Sequence, residues 1–238
     1  MERKTVAFII GVALATVFAT GAITMKYHPQ LAANTTPVTI IYSVAVFEPP
    51  AAATPSRTNQ ETLAVRSDGS FARANSGPTS SGELPTARLI NLPDRYFVVD
   101  PFTLSVASYN KQMRPLVAAP KDCGGQHGDP ILGHATQIVH RQDPPAMKIT
   151  EWLGVDVNCL PLRSEYSIQD ADRDVRGIKV AESITLGEPR ADWFLVPAGF
   201  QGRSPSEIQA QHDIKNGDSP RKLNPAIDSV YDKNKAVN

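Results

Sequence analysis

Prolines interrupt this 238-residue chain twenty times. Each one removes a backbone donor and clashes with the preceding helical turn, so long helices are excluded over most of the length. What survives between the prolines is a series of short runs rich in β-branched and aromatic residues. Val38–Phe47 (VTIIYSVAVF) is the clearest, and it reads as a strand. In Glu61–Arg66, Leu63 and Val65 alternate with Thr62, Ala64 and Arg66, the period of a half-buried strand. Asp68-Gly69 comes next, a pair that tolerates the positive φ of a two-residue hairpin turn, and Phe71–Ala74 starts the return strand. Thr86–Asn91, Arg95–Val99 and Thr103–Tyr109 are further short strands. Pro93-Asp94 and Asp100-Pro101 sit at the joints between them, as tight turns require. Short connections make sequential antiparallel pairing the simplest topology for this half.

Residues 111–130 read as a loop carrying Cys123 beside Gly124-Gly125. Gly133–Arg141, Met147–Leu153, Leu160–Ile168 and Ile178–Leu186 are the remaining strands. The charged stretch Gln169–Gly177 reads as a turn. Pro189 sits where a single helical turn through Trp193 would begin. Ser204-Pro205-Ser206-Glu207 offers a helix start running to about Ile214. The expected fold is therefore mainly β: a curved antiparallel sheet, a half-barrel-like meander with a few short helices, spanning 38–200. Residues 201–238 would be a short helix and a polar, disordered tail.

The amino terminus adds one hydrophobic helix. Glu2-Arg3-Lys4 precedes an uncharged, mostly apolar run from Val6 to Met25, and positive charge before such a run favours export of the chain beyond it. Val17-Phe18-Ala19 and Thr20-Gly21-Ala22 offer small-residue cleavage sites for a signal peptide. About 18 apolar residues also suffice to span a bilayer, so residues 6–25 fit an uncleaved membrane anchor as well. On this reading residues 1–26 are the signal or anchor and 27–37 a linker. The body is periplasmic, extracellular or anchored outside the cytoplasm.

In an oxidising compartment Cys123 and Cys159 are expected to form a disulfide. Closing a loop of a few tens of residues would contribute about 3–4 kcal/mol. Unpaired buried thiols are an alternative, as is a metal site drawing on His127, His134 or His140, although those spacings match no zinc pattern. His134 and His140 lie six apart on one strand, about 20 Å at strand rise, too far to share an ion. Asp170-Ala171-Asp172-Arg173-Asp174 begins like a calcium loop. It then places Val175 where the sharp-turn glycine belongs and Ala181 where the bidentate Glu belongs. No metal or cofactor is expected.

Twenty-four basic and 24 acidic side chains balance, so the phosphate-neutralising excess of a nucleic-acid binder is missing. No nucleophile elbow, zinc-protease helix or phosphate loop is present, and no residue is singled out as catalytic. Trp152, Trp193, Phe194 and Phe200 are the candidates to line an apolar cavity, with core packing as the plain alternative.

Three stretches carry a resemblance: Arg95-Tyr-Phe-Val-Val-Asp-Pro-Phe-Thr, Ile149-Thr-Glu-Trp-Leu with Asn158-Cys-Leu-Pro-Leu-Arg-Ser-Glu, and Val180 to Phe200 with Ser204-Pro-Ser-Glu behind it. Together they resemble a group of uncharacterised exported bacterial proteins ending in Gly-Glu-Pro-Asp-x-x-Leu-Phe-x-Val-Pro-x-x-Tyr. Here Arg190 stands for the Asp and Phe200 for the Tyr. The strand pattern is similar to the periplasmic lipoprotein-carrier fold. That resemblance implies a curved half-barrel over a greasy cavity. The residues themselves suggest a lid, a proline-bounded turn that drops Trp193 and Phe194 onto one end of the sheet. The functional expectation is a non-enzymatic exported module that binds a lipid-like or apolar ligand and meets the membrane through its amino-terminal segment. The alternatives are an envelope structural or interaction protein, and a hydrolase with a scattered triad.

Overall fold

The structure is a computed structural model that describes residues 35–76, 87–109, 122–143, 147–169, 174–217 and 219. The expected amino-terminal helix, its cleavage sites and most of the acidic run at 170–174 lie outside these residues, as does most of the polar tail. Among the described residues no helix is long and apolar enough to cross a membrane.

Six strands come in sequence: β1 Val38–Phe47, β2 Arg57–Val65, β3 Phe71–Ser76, β4 Ala87–Asn91, β5 Tyr96–Asp100 and β6 Ser105–Tyr109. Each pairs with the next in antiparallel register. The Asp68-Gly69 turn between β2 and β3 forms as expected. Gly69 adopts φ 79°, Arg66 N–H donates to Ser70 O at 2.9 Å, and Ser70 N–H donates to Asp68 Oδ1 at 2.8 Å. A second run of hairpins comes after: β7 Gln126–Ile131, β8 His134–Asp143, β9 Met147–Gly154, β10 Leu160–Gln169 and β11 Asp174–Leu186. A 3-10 turn (Ala191–Phe194), a two-residue strand β12 (Gln201–Gly202) and one helix, α1 (Pro205–Asn216), complete the order.

The fold class stands as expected, mainly β and a single curved sheet. All twelve strands form it in the order β12-β6-β5-β4-β3-β2-β1-β11-β10-β9-β8-β7, antiparallel except where β12 meets β6. The two meanders are joined by β1 and β11, whose register runs from Val38 opposite Leu186 to Phe47 opposite Arg176. Residues 126–131 depart from the loop expected there. They form β7, an edge strand whose polar sequence shows no apolar alternation because both of its sides are largely exposed.

Cross-strand register assigns side chains to faces, since directly opposed residues point the same way. The inner face carries Val38, Ile40 and Tyr42 of β1, Leu63 and Val65 of β2, Phe71 of β3, Leu89 of β4 and Ala181 of β11. These residues form one core cluster with Val157, Leu160 and Leu162, and Ile131 of the far edge strand packs against it. An edge strand can reach that cluster only if the sheet curls over its inner face. α1 covers the β5–β6 end of the same face, where Ile208 packs on Ala107 and Tyr109. The helix starts with a full capping box: Ser204 N–H donates to Glu207 Oε2 at 2.7 Å, and Glu207 N–H donates to Ser204 Oγ at 3.3 Å. Pro205 occupies the first helical turn, where its missing donor costs nothing.

The curl is fastened where the amino terminus of β1 meets the β9–β10 turn. Thr36 N–H donates to Asn158 Oδ1 at 2.9 Å, and Asn158 Nδ2 donates to Thr36 O at 2.7 Å. One side-chain amide thus replaces a strand partner for a residue 122 positions away. Asn158 itself sits at φ 60°, a conformation that asparagine tolerates better than most residues. Replacing Asn158 by alanine is expected to lower stability by about 2 kcal/mol, from two lost hydrogen bonds and a less tolerant residue at positive φ. Urea unfolding measures it, and an unchanged midpoint would contradict the role.

Candidate functional site

Three of the four aromatic residues singled out by sequence come together, and Trp152 does not join them. Phe194 is buried in a cluster with Ala64, Ala72, Ile90, Phe97, Val99 and Val106, and Trp193, Val196 and Phe200 pack around its edge. These partners alternate with the inner-face residues, so the cluster lies on the outer face. The 3-10 turn rests over β3 and β4, across the sheet surface and not at a sheet end, which corrects the expected placement. What it covers is protein side chains. Arg66 and Arg88 cap the rings, with guanidinium carbons 5.3 Å from the Phe194 and Trp193 centroids respectively. Trp152 stands apart on β9, in the other half of the sheet, under the guanidinium of Arg163 at 4.7 Å.

Cys123 and Cys159 are joined in a disulfide with Cα atoms 5.5 Å apart. The histidines bond elsewhere. His134 Nδ1 lies 2.8 Å from Asp156 Oδ2, and His140 Nδ1 lies 3.0 Å from Thr150 Oγ1. His212 of α1 is buried, with Nε2 2.8 Å from Asp100 Oδ2. Burial alone would push the Asp100 carboxyl up, but hydrogen bonds from His212 and Thr103 hold it below its ordinary range. With Phe102 stacked on the imidazole at 4.8 Å, this contact docks the helix on the β5–β6 turn. Among the described residues no three His, Cys, Asp or Glu side chains gather as metal ligands.

The strongest concentration of chemistry lies on the inner face, away from every aromatic candidate. Tyr42 of β1, Glu61 of β2 and Asn75 of β3 stand in one cross-strand row. Arg73 lies one step along the sheet from this row and Lys179 one step the other way. Glu61 is only 4% exposed. Its Oε2 accepts from Arg73 Nη2 at 2.5 Å, and its Oε1 accepts from Lys179 Nζ at 2.5 Å. Burial pushes the Glu61 carboxyl up, yet the Arg73 and Lys179 charges and their hydrogen bonds overcome this and hold it at about 2. Burial drags Lys179 down to about 8 against the pull of Glu61, so the amine remains charged at neutral pH. The ammonium sits 3.9 Å from the Tyr42 ring centroid, a cation held over a π face. The Tyr42 side chain is fully buried, and among the described residues its hydroxyl has no hydrogen-bond partner.

Beyond this cluster the inner face changes character. The next rows run Val44, Lys179, Ser164, Glu151, Val139 and then Val46, Gly177, Tyr166, Ile149, Arg141 across β1, β11, β10, β9 and β8. Gly177 is required there, because a Cβ would stand 2.0 Å from Tyr166 Cζ, so the phenol ring lies across the glycine. Val44, Val46 and Tyr166 are half-buried, unlike the sealed residues near Val38. Arg141 is ion-paired with Glu151.

The fold and site together define a class: a curled antiparallel sheet sealed on its outer face by an aromatic turn, with a buried ionic cluster on its inner face. No family model matches the sequence, and no curated protein matches it. Solved structures do show likeness. One is a DUF1329 family protein from Desulfovibrio piger, at 9% identity and TM-score 0.34, covering 67% of this chain and 90% of that one. Another is a candidate outer membrane lipoprotein-sorting protein domain from Vibrio parahaemolyticus, at 9% identity and TM-score 0.30, covering 66% and 89%. Both scores are too low for either likeness to carry a function to this chain.

The inner cluster has a signal in the sequence. Glu61 is in phase with Leu63 and Val65, Arg73 with Phe71, and Lys179 with Ala181, so three charges occupy core-facing positions of their strands. Period-2 phasing marks each one as inward, but only the register between β1, β2, β3 and β11 shows that they meet.

Proposed function

We propose that this chain is an exported, non-enzymatic β-sheet module that takes a lipid-like or other apolar ligand against the inner face of its curled sheet. The observation that carries this reading is the half-buried apolar strip of Val44, Val46 and Tyr166, continuous with the packed cluster around Ile40 and Leu63. A curled sheet with apolar side chains left partly uncovered on its inside offers a concave, greasy surface, the usual form of a small-molecule site. The disulfide supports residence in an oxidising compartment, where such bonds persist. The outer aromatic turn, packed on side chains, serves the reading as a structural cover that leaves the inner face as the place for a ligand.

The test is native mass spectrometry of the protein purified from its expression host, then delipidation and titration with a fluorescent fatty acid. Co-purified lipid and saturable binding are expected. A protein that carries no lipid and shows no saturable binding would sink the proposal and favour the envelope interaction role.

A further inference from the structure

We infer that the Tyr42–Lys179 pair on the inner face is a head-group site for an oxyanion, a carboxylate or a phosphate borne by an apolar chain. This rests on the ligand reading above and specifies its chemistry.

Two donors converge there. Among the described residues the Tyr42 hydroxyl is buried and unpartnered, a state that carries a desolvation cost until something accepts its proton. Burial pushes the phenol far above its ordinary titration range, so it stays protonated and can only offer a donor to an anion. Lys179 brings the charge. Its ammonium has three N–H bonds, and among the described residues its hydrogen-bond acceptor is Glu61 Oε1. With the nitrogen 3.9 Å above the Tyr42 ring, a single oxygen beyond the ring edge can accept from both the ammonium and the hydroxyl. The Glu61 charge works against an anion beside the phenol, but the two cations Lys179 and Arg73 outweigh that single carboxylate. Asn75, whose Oδ1 also lacks a partner among the described residues, lies across Glu61 from Tyr42. At two strand spacings, about 10 Å, it stays outside the pair.

The surroundings select what carries the oxyanion. The row adjoining Tyr42 holds Val44 and Lys179 opposite each other, and the next holds Val46 and, across Gly177, Tyr166. A chain attached to an oxyanion at Tyr42 would therefore lie on the half-buried apolar strip. A carboxylate or phosphate head with a hydrocarbon chain satisfies both halves of the surface. An alcohol of the same length satisfies only the apolar half.

The experiment uses the full delipidated protein and displacement of a neutral fluorescent apolar probe by hexadecanoate, hexadecanol and inorganic phosphate. Hexadecanoate is expected to bind at least about tenfold more tightly than hexadecanol, since a hydrogen bond to a charged group is worth about 1.5–3 kcal/mol. Tyr42→Phe removes only the unpartnered hydroxyl. It should leave the apo protein's melting temperature unchanged or higher, cut hexadecanoate affinity about tenfold, and leave hexadecanol binding as it was. Lys179→Arg keeps the charge and should retain more of the acid preference than Lys179→Met. Equal binding of acid and alcohol overturns the head-group site and leaves the ligand reading standing. A Tyr42→Phe variant with undiminished acid preference overturns the assignment to Tyr42. Binding of neither long-chain probe overturns the ligand reading itself. Phosphate alone binding as well as hexadecanoate supports the oxyanion chemistry while overturning the hydrocarbon chain, and no competition by phosphate supports a chain-borne head group.

Discussion

Replacing Glu61 by glutamine is expected to destabilise the protein by about 3 kcal/mol, the cost of leaving two half-buried cations without their buried carboxylate. The magnitude comes from position. Glu61 is 4% exposed and holds Arg73 through one oxygen and Lys179 through the other, so one substitution takes the carboxylate from both. The same geometry fixes a pH dependence. The carboxyl titrates at about 2 in the fold against an ordinary value of 4.5, so the folded state releases its proton first as pH rises. The stabilisation is therefore complete above about pH 5 and is lost as pH falls through the folded value. At about 1.4 kcal/mol per pKa unit it amounts to roughly 3 kcal/mol. Urea unfolding at a series of pH values measures both effects. The wild type should weaken steeply between pH 5 and 2, and Glu61→Gln should weaken less over that interval. A variant as stable as wild type at pH 7, or one with the same acid limb, would show that the cluster is not what holds these charges.

Much of this architecture is written locally. Alternation locates nearly every strand within a few residues, because half-buried strands must place an apolar side chain at every second position. The Ser204–Glu207 capping box marks the helix start for the same local reason. Two features resist. β7 lacks alternation, since Gln126, His127, Asp129 and Pro130 are all exposed. Its hydrogen bonds to β8 and the neighbouring disulfide hold it, and no packed face is there to be read. The pairing of β1 with β11 joins residues more than a hundred positions apart, and a period of two tells which way a side chain points without naming its neighbour. The same limit hides the candidate site. Trp193 and Phe194 are the conspicuous aromatics, but they face outward over Ala72 and Ile90, whereas Glu61 and Lys179 fall on the inward phase of their strands and show no partner until the register brings them together.

Reducing the Cys123–Cys159 disulfide is expected to cost about 2–4 kcal/mol overall and to do its damage at one place. The bridge spans 36 positions and ties the entry to β7 to the β9–β10 turn. Among the described residues β7 is an edge strand with β8 as its one neighbour in the sheet, and its own contribution to the core is little more than Ile131. Single-sided pairing of a polar strand is marginal without a further constraint. The turn at the other end of the bridge is demanding as well. Asn158 and Cys159 both sit at positive φ, 60° and 52°, a conformation costing about 1–2 kcal/mol per residue for side chains other than glycine. The Asn158–Thr36 bonds offset part of that cost and the cross-link holds the rest in place. Hydrogen exchange on the Cys123→Ala/Cys159→Ala variant should therefore show protection falling first in residues 126–131 and 155–160, with β2 to β5 retaining theirs. Uniform loss across the sheet would mean that the bridge acts only on the unfolded chain. Unchanged protection in β7 would mean that the strand is held by its hydrogen bonds to β8 alone.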